Sequence, residues 1–216
     1  DIILLAPSVT ALEMLLHICE QELDMLDMSI NVKKSACMRI GPRCNVECAD
    51  IATTKGHVIK WVDKVRYLGV QIVKAKTFSC CYNDAKRSFY RAFNAIFGKV
   101  ARLASEDVII RLVESKCCPA LLYGIDACPI NKSQVNSLNF CLTGIFMKIF
   151  CTRSKDVAVE CMELFNFSLL ELRILQRKRC FLSTFIGSLN QLCNLFSVIA
   201  ETELNDMDCR SDTVCM

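Results

Sequence analysis

The apolar residues of this 216-residue chain change their spacing near residue 81. Upstream they occur in short runs rich in Ile, Val and Tyr, such as Val58–Val73, which are typical of strands. Downstream they recur every three or four residues, and Ala85, Phe89, Phe93 and Ile96 fall on one face of a helix. The sequence therefore predicts an α+β fold, with strands in the first part and long amphipathic helices in the second.

The first part of the chain is predicted to run strand, helix, strands and β-hairpin. Asp1–Ala6 is an apolar stretch that predicts a buried strand, and Ser8 then caps a helix that ends near Met25–Met28. A second strand is predicted at Ala36–Ile40, before a loop or irregular hairpin over residues 43–57.

The domain organisation follows from these elements. Val58–Val73 predicts a hairpin in which Gly69 permits a bulge or the close approach of another backbone. Residues 1–78 form one predicted domain, and residues 79–200 form a predicted helical bundle. Residues 201–216 are polar and acidic without periodicity, and we expect a disordered tail there.

The chain has 16 cysteines, which is a high number for its length. Many of them, including Cys117 and Cys141, take positions where a helix presents an apolar residue. Reduced cysteine behaves as a small hydrophobic residue, so a reducing, intracellular compartment is the favoured interpretation. Zinc binding through Cys44, Cys48 and His57 is a weaker alternative, because no second closely spaced pair completes a tetrahedral site.

Charge and hydropathy restrict the possible partners. The formal net charge is +3, so nucleic-acid binding has to rest on local basic patches. No apolar run reaches the roughly 18 residues that span a bilayer, so no membrane partner is expected. A hydrolase is not favoured either, because the chain contains two histidines and no Gly-x-Ser-x-Gly motif.

Five segments carry a further signal through their content and order along the chain. They are Asp1–Ala6, Leu26–Ser35, Trp61–Val70, Ala85–Ala92 and Pro119–Gly124. In this order they resemble motifs of non-LTR (LINE-type) retrotransposon reverse transcriptases. The first is similar to the second half of the Ala-Asp-Asp hairpin, the second to the next palm motif, the third to the primer-grip hairpin with its Tyr-Leu-Gly core, and the last two to the helical thumb.

The resemblance implies a partial polymerase palm followed by an all-helical, thumb-like bundle. Asp1 would be the last palm aspartate and a ligand of Mg²⁺, and Lys34 or Lys33 would stabilise charge on the nucleotide phosphates. RNA template and DNA primer would be the partners, and a dNTP the only small-molecule substrate. The residues implied in primer or template binding are Tyr67, Leu68, Gly69, Lys86, Arg87 and Arg91.

Each of these assignments has a structural alternative. The two lysines could lie in a solvated turn, the Tyr-Leu-Gly segment could be an ordinary hairpin, and the basic helix could simply face water. A second basic cluster consists of Arg173, Arg177, Lys178 and Arg179, and there a solvated face is favoured because no aromatic residue is interleaved.

The resemblance also implies that catalytic residues are missing. Two-metal phosphoryl transfer needs several carboxylates, and the family pattern places another aspartate beside Asp1 and one on a further strand. The chain is therefore expected to be a fragment that is inactive alone, working in the nucleus or the cytoplasm as part of a longer enzyme. The alternatives are a non-catalytic nucleic-acid-binding or interaction module derived from such an element, and a degenerate product without function.

Overall fold

The computed structural model describes residues 2–101, 103–168 and 170–212. The chain divides into two compact units, Asp1–Cys81 and Tyr82–Met216. Two small antiparallel sheets lie in the first unit and helices make up the second, which confirms the predicted mixture of α and β structure. The predicted boundary after residue 78 falls just before the last strand of the first unit.

The first unit begins with helix α1, Val9–Asp24. Ser8 caps it as predicted, because its hydroxyl accepts a hydrogen bond from the backbone N–H of Ala11 at 3.1 Å. Leu16 is buried, and Val9 and Leu12 pack beside it. The helical spacing of these residues therefore produces the apolar face that the sequence predicts.

Helix α1 packs against a two-stranded hairpin formed by β1, Ile51–Ala52, and β2, Val58–Ile59. The core between them contains Leu16, Cys37, Ile51 and Ile59. Polar side chains of α1 also bind the backbone of β1 and the residues after it. Glu13 accepts from the N–H of Ala52 at 3.2 Å, Glu20 accepts from the N–H of Thr54 at 2.8 Å, and His17 hydrogen-bonds to the carbonyl of Ala52 at 2.9 Å.

The second sheet has three antiparallel strands in sequence order. They are β3, Lys64–Tyr67; β4, Val70–Val73; and β5, Ser79–Cys81. Tyr67 pairs directly with Val70, so only two residues connect β3 and β4. The hairpin is the one predicted within Val58–Val73, whereas β5 has too few β-favouring residues to be recognised from sequence.

Two predicted strands in the first unit are wrong in part. Asp1 lies outside the described residues, and residues 2–6 form no strand, although Leu4 packs against the α1 core. An extended segment becomes a strand only when a neighbour pairs with its backbone, and no described segment pairs with residues 2–6. Ala36–Ile40 contributes a single bridge, in which Cys37 pairs with Trp61.

The second unit begins with α2, Asn83–Val100, and α3, Glu106–Leu112. A π-helical turn, Val113–Cys117, then leads into the short helix α4, Cys118–Leu121. The sequence predicts an interruption at Pro119. The change in winding begins one turn earlier, which lets proline occupy the first turn of a new helix, where its missing N–H has no cost.

The remaining helices follow with short connections. Asn131 and Gln134 form a reciprocal capping box at the start of α5. The elements are α5, Lys132–Ile149; α6, Lys155–Leu164; α7, Leu170–Ile186; α8, Gln191–Leu195; and α9, Ser197–Asp212. The prediction of disorder is wrong for residues 201–212, because α9 packs on α7 and Glu203 pairs with Lys178. Residues 213–216 lie outside the described part.

The 14 cysteines whose side chains the structure describes are free thiols, and several belong to the core. Cys117 and Cys118 are buried beside the start of α4. The pKa of Cys118 is raised from 9.0 to about 12, mainly by burial; Arg173 opposes this shift, whereas Cys117 and Glu114 contribute to it. Burial also raises the pKa of Cys117.

These raised pKa values predict a loss of stability in alkali. The folded protein holds the Cys118 proton more tightly than the unfolded chain, so stability is retained below about pH 9 and falls as pH rises towards 12. We expect Cys118 to contribute a loss of about 1 kcal/mol between pH 8.5 and pH 10, measured by urea unfolding under reducing conditions. Cys118→Ala should flatten this dependence, and an unchanged slope would contradict the assignment.

Candidate nucleic-acid interface

The tip of the β3–β4 hairpin is a tight turn made by Leu68 and Gly69. Their φ angles are 45° and 84°, and positive values at both central residues are typical of a type I′ turn. Gly69 adopts this conformation easily and therefore serves a turn rather than the predicted bulge. Leu68 carries the strain of a left-handed conformation, and its side chain is 63% exposed.

Lys33 and Lys34 lie in an exposed turn that follows the end of α1. The side chain and the carbonyl of Asn31 both accept from the backbone N–H of Lys34, at 3.2 and 3.0 Å. This turn fixes the backbone but leaves both ammonium groups at the surface. The geometry is compatible with a phosphate contact and also with the solvated turn considered as its alternative.

No metal centre is formed by the described residues. Nowhere in that part of the chain do three or more His, Cys, Asp or Glu side chains lie where they could hold one ion. Cys44 contacts Asn45, and Cys48 receives a hydrogen bond from Arg39 at 3.4 Å. Asp1, the predicted Mg²⁺ ligand, lies outside the described residues.

A groove lies between α2 and α5 in the second unit, with a volume of about 450 Å³. Two cations and two aromatic rings border it, and no carboxylate is among the described residues that line it. Such a combination suits a ligand with negative charge and a flat ring. The lining consists of Asn83, Lys86, Arg87, Tyr90, Ser137, Phe140 and Cys141.

The groove brings together two of the three predicted basic residues of α2. Lys86 donates a hydrogen bond from Nζ to Ser137 Oγ at 2.9 Å, which holds its ammonium at the groove. Arg87 pairs with Asp84 at 2.8 Å, and both partners are partly exposed. Arg91 is exposed one turn further along α2 but does not line the groove.

Phe140 and Lys155 are functional candidates that the sequence prediction missed. Phe140 is 61% exposed, and the ammonium of Lys155 lies 5.5 Å from its ring centroid. One signal could have revealed the phenylalanine, because it falls outside the helical stripe that contains Leu138 and Leu142. A large aromatic residue on the polar face of a helix has no core to fill.

Tyr90 forms part of the groove wall. Burial raises its pKa, and the hydrogen bond with Cys141 raises it further, so the phenol stays protonated at physiological pH. Cys141 donates its own thiol proton to the carbonyl of Ser137 at 3.3 Å, which leaves its sulfur to accept from Tyr90. This chain of contacts joins α2 to α5 at the groove wall.

The second basic cluster was expected to be a solvated face, but three of its members, Arg173, Arg177 and Lys178, form ion pairs with residues outside their own helix. Arg173 pairs with Glu114, and its guanidinium lies 4.4 Å from the Phe167 ring centroid. Arg177 makes a bidentate pair with Asp126, at 2.7 and 3.1 Å. Together with the ion pair between Lys178 of α7 and Glu203 of α9, these contacts join α7 to its neighbours. These three charges are therefore compensated by carboxylates within the fold.

No family model, curated protein or solved structure matches this chain. In the described part of the chain, no helix combines the length and the apolar character needed to cross a membrane.

Proposed function

We propose that this chain is part of an RNA-directed DNA polymerase of the LINE type, and that its β3–β4 hairpin contacts the primer strand. One observation carries the proposal. Tyr67, Leu68 and Gly69, the segment that resembles the primer grip, occupy the tip of a two-residue hairpin turn directly upstream of the helical unit.

The hairpin has the surface that such a contact needs. Leu68 presents an exposed apolar side chain that can pack on a sugar, and the exposed Lys64 and Arg66 on β3 can meet phosphates. Strained residues concentrate at functional sites, and Leu68 takes a conformation that Asn or Gly would adopt at lower cost. A surface role for the side chain explains why leucine stands there.

The proposal assigns Mg²⁺ to the assembled polymerase, in which Asp1 would be one of several carboxylate ligands. The ions would stabilise charge during phosphoryl transfer. Lys34 would lie near the incoming nucleotide, and the exposure of this residue supports the role. The contribution of this chain is to hold nucleic acid, and the helical unit would serve as the thumb.

A non-catalytic module derived from such an element is the alternative function. The polymerase and the module predict different transcripts. The transcript of a polymerase must encode an aspartate immediately before Asp1, in the same frame, and another aspartate on an upstream strand. A start codon at that point would favour the module. RNA binding by this chain alone is compatible with both.

Leu68→Asn tests the hairpin. We expect this variant to be more stable than the wild type by about 1 kcal/mol, because asparagine tolerates the left-handed conformation. We also expect about fivefold weaker binding to an RNA–DNA hybrid with a recessed 3′ end, measured by fluorescence anisotropy. A gain in stability without loss of hybrid binding would contradict the proposal that the hairpin contacts the primer.

Leu164→Asn is the matched control, because Leu164 is an exposed leucine in the second unit. It should change neither binding nor stability by more than about 0.5 kcal/mol. Wild-type protein should also prefer the recessed hybrid to a blunt one. Equal affinity for both ends would contradict a primer-holding role.

A further inference from the structure

The groove between α2 and α5 combines a cationic edge with an exposed aromatic ring, and the proposed function does not say what this groove binds. We propose that it binds one unpaired nucleotide of a single-stranded nucleic acid. The base stacks on Phe140, and the adjoining phosphate contacts Lys86 and Arg87. This site goes beyond the primer contact of the hairpin and rests on residues of the second unit alone.

Phe140 is the stacking platform. Its ring is 61% exposed, and Lys155 lies 5.5 Å from the ring centroid, so the ring meets a cation as well as solvent. Stacking of a base on an aromatic side chain tolerates any sequence, because every base has a π face. The nearby ammonium adds attraction for the phosphate that follows the stacked base.

The phosphate position is defined by Lys86 and Arg87. Ser137 holds the ammonium of Lys86 at 2.9 Å, so little side-chain freedom is lost when a ligand binds. The pair between Arg87 and Asp84 is exposed, and exposed pairs contribute little, so Arg87 can exchange its carboxylate for a phosphate. No carboxylate among the described lining residues opposes this charge.

The geometry favours a single strand over a duplex. Bases within a duplex are stacked on each other and cannot reach a ring that borders a groove, whereas an unpaired base can leave its neighbours. A volume of about 450 Å³ lies in the range of small-ligand sites. One nucleotide rather than an extended segment is therefore the occupant.

The experiment uses the full chain and a 12-nucleotide oligo(dT). Phe140→Trp places a fluorophore on the platform, and its signal is separated from that of the single native tryptophan, Trp61, by comparison with wild type. We expect quenching as the oligonucleotide saturates the site. Phe140→Ala should weaken binding about tenfold, and Phe140→Trp should retain it.

The control is Phe196→Ala, which removes another exposed phenylalanine outside the groove and should leave affinity unchanged. Unaltered affinity of Phe140→Ala, absence of quenching, or equal binding of a blunt duplex would each overturn the proposal. If dTTP binds as tightly as oligo(dT), the site takes free nucleotides and the assignment to a single strand fails. Loss of oligo(dT) binding in Phe140→Ala, together with undiminished binding of the recessed hybrid by Leu68→Asn, would uphold the groove while rejecting the hairpin.

Discussion

Replacing Phe146 with alanine is expected to lower the free energy of unfolding of the second unit by about 3–5 kcal/mol. The side chain is completely buried in α5, and its ring packs edge-on against Phe167 with 5.0 Å between centroids. Truncation removes that contact and leaves a cavity that close-packed neighbours fill only in part. Urea unfolding followed by circular dichroism measures the loss.

Phe140→Ala provides a matched control on the same helix. The substitution is chemically identical, but this side chain is largely exposed, so we expect a change within about 0.5 kcal/mol. The two variants therefore separate stability from binding. Phe146→Ala should unfold at a lower urea concentration, whereas Phe140→Ala should lose affinity for the oligonucleotide. Comparable destabilisation by both would mean that α5 is rotated from the orientation described.

Arg173→Ala is expected to destabilise the second unit by about 2 kcal/mol. Three contacts disappear together: the ion pair with Glu114, a hydrogen bond to the carbonyl of Ser168 at 3.2 Å, and the stacking over Phe167. Glu114 would remain half-buried without its partner, which costs more than the pair contributes. The side chains are 19% and 36% exposed, so the effect is smaller than for a fully buried pair.

The same variant tests whether the second basic cluster binds nucleic acid. We expect Arg173→Ala to leave oligo(dT) affinity unchanged at a temperature where the variant is folded. Arg87→Ala should weaken oligo(dT) binding and leave stability almost unchanged, because Arg87 is paired only on the surface. A large loss of affinity in Arg173→Ala with normal stability would show that the cluster is a binding surface.

Local sequence signals predicted much of the fold. Ser8 and the spacing of Leu12 and Leu16 defined α1, because capping and amphipathicity act within a few residues. The hairpin within Val58–Val73 was also predicted, but Gly69 was expected at a bulge or close approach and instead lies in the turn. Periodicity also predicted the helical bundle beyond residue 81, but not α9, which extends through residues predicted as a disordered tail.

Features that depend on distant partners were not predicted. Residues 2–6 have the composition of a strand, but pairing requires a neighbour that sequence cannot place. The groove escaped prediction because Lys86 meets Ser137 across 51 positions, and Phe140 becomes informative only once its helix has a known inner face. The role of Arg173 was missed because its partner, Glu114, lies on a different helical segment.

The contacts from α1 to the first hairpin have a consequence for self-association. Glu13 and His17 occupy the N–H and C=O of Ala52, and Glu20 occupies the next outward N–H, at Thr54. These are positions where the backbone of a foreign strand would dock. Side chains of α1 thus occupy the outward hydrogen-bonding groups at one edge of this two-stranded sheet. A strand from a neighbouring molecule therefore cannot pair along that edge.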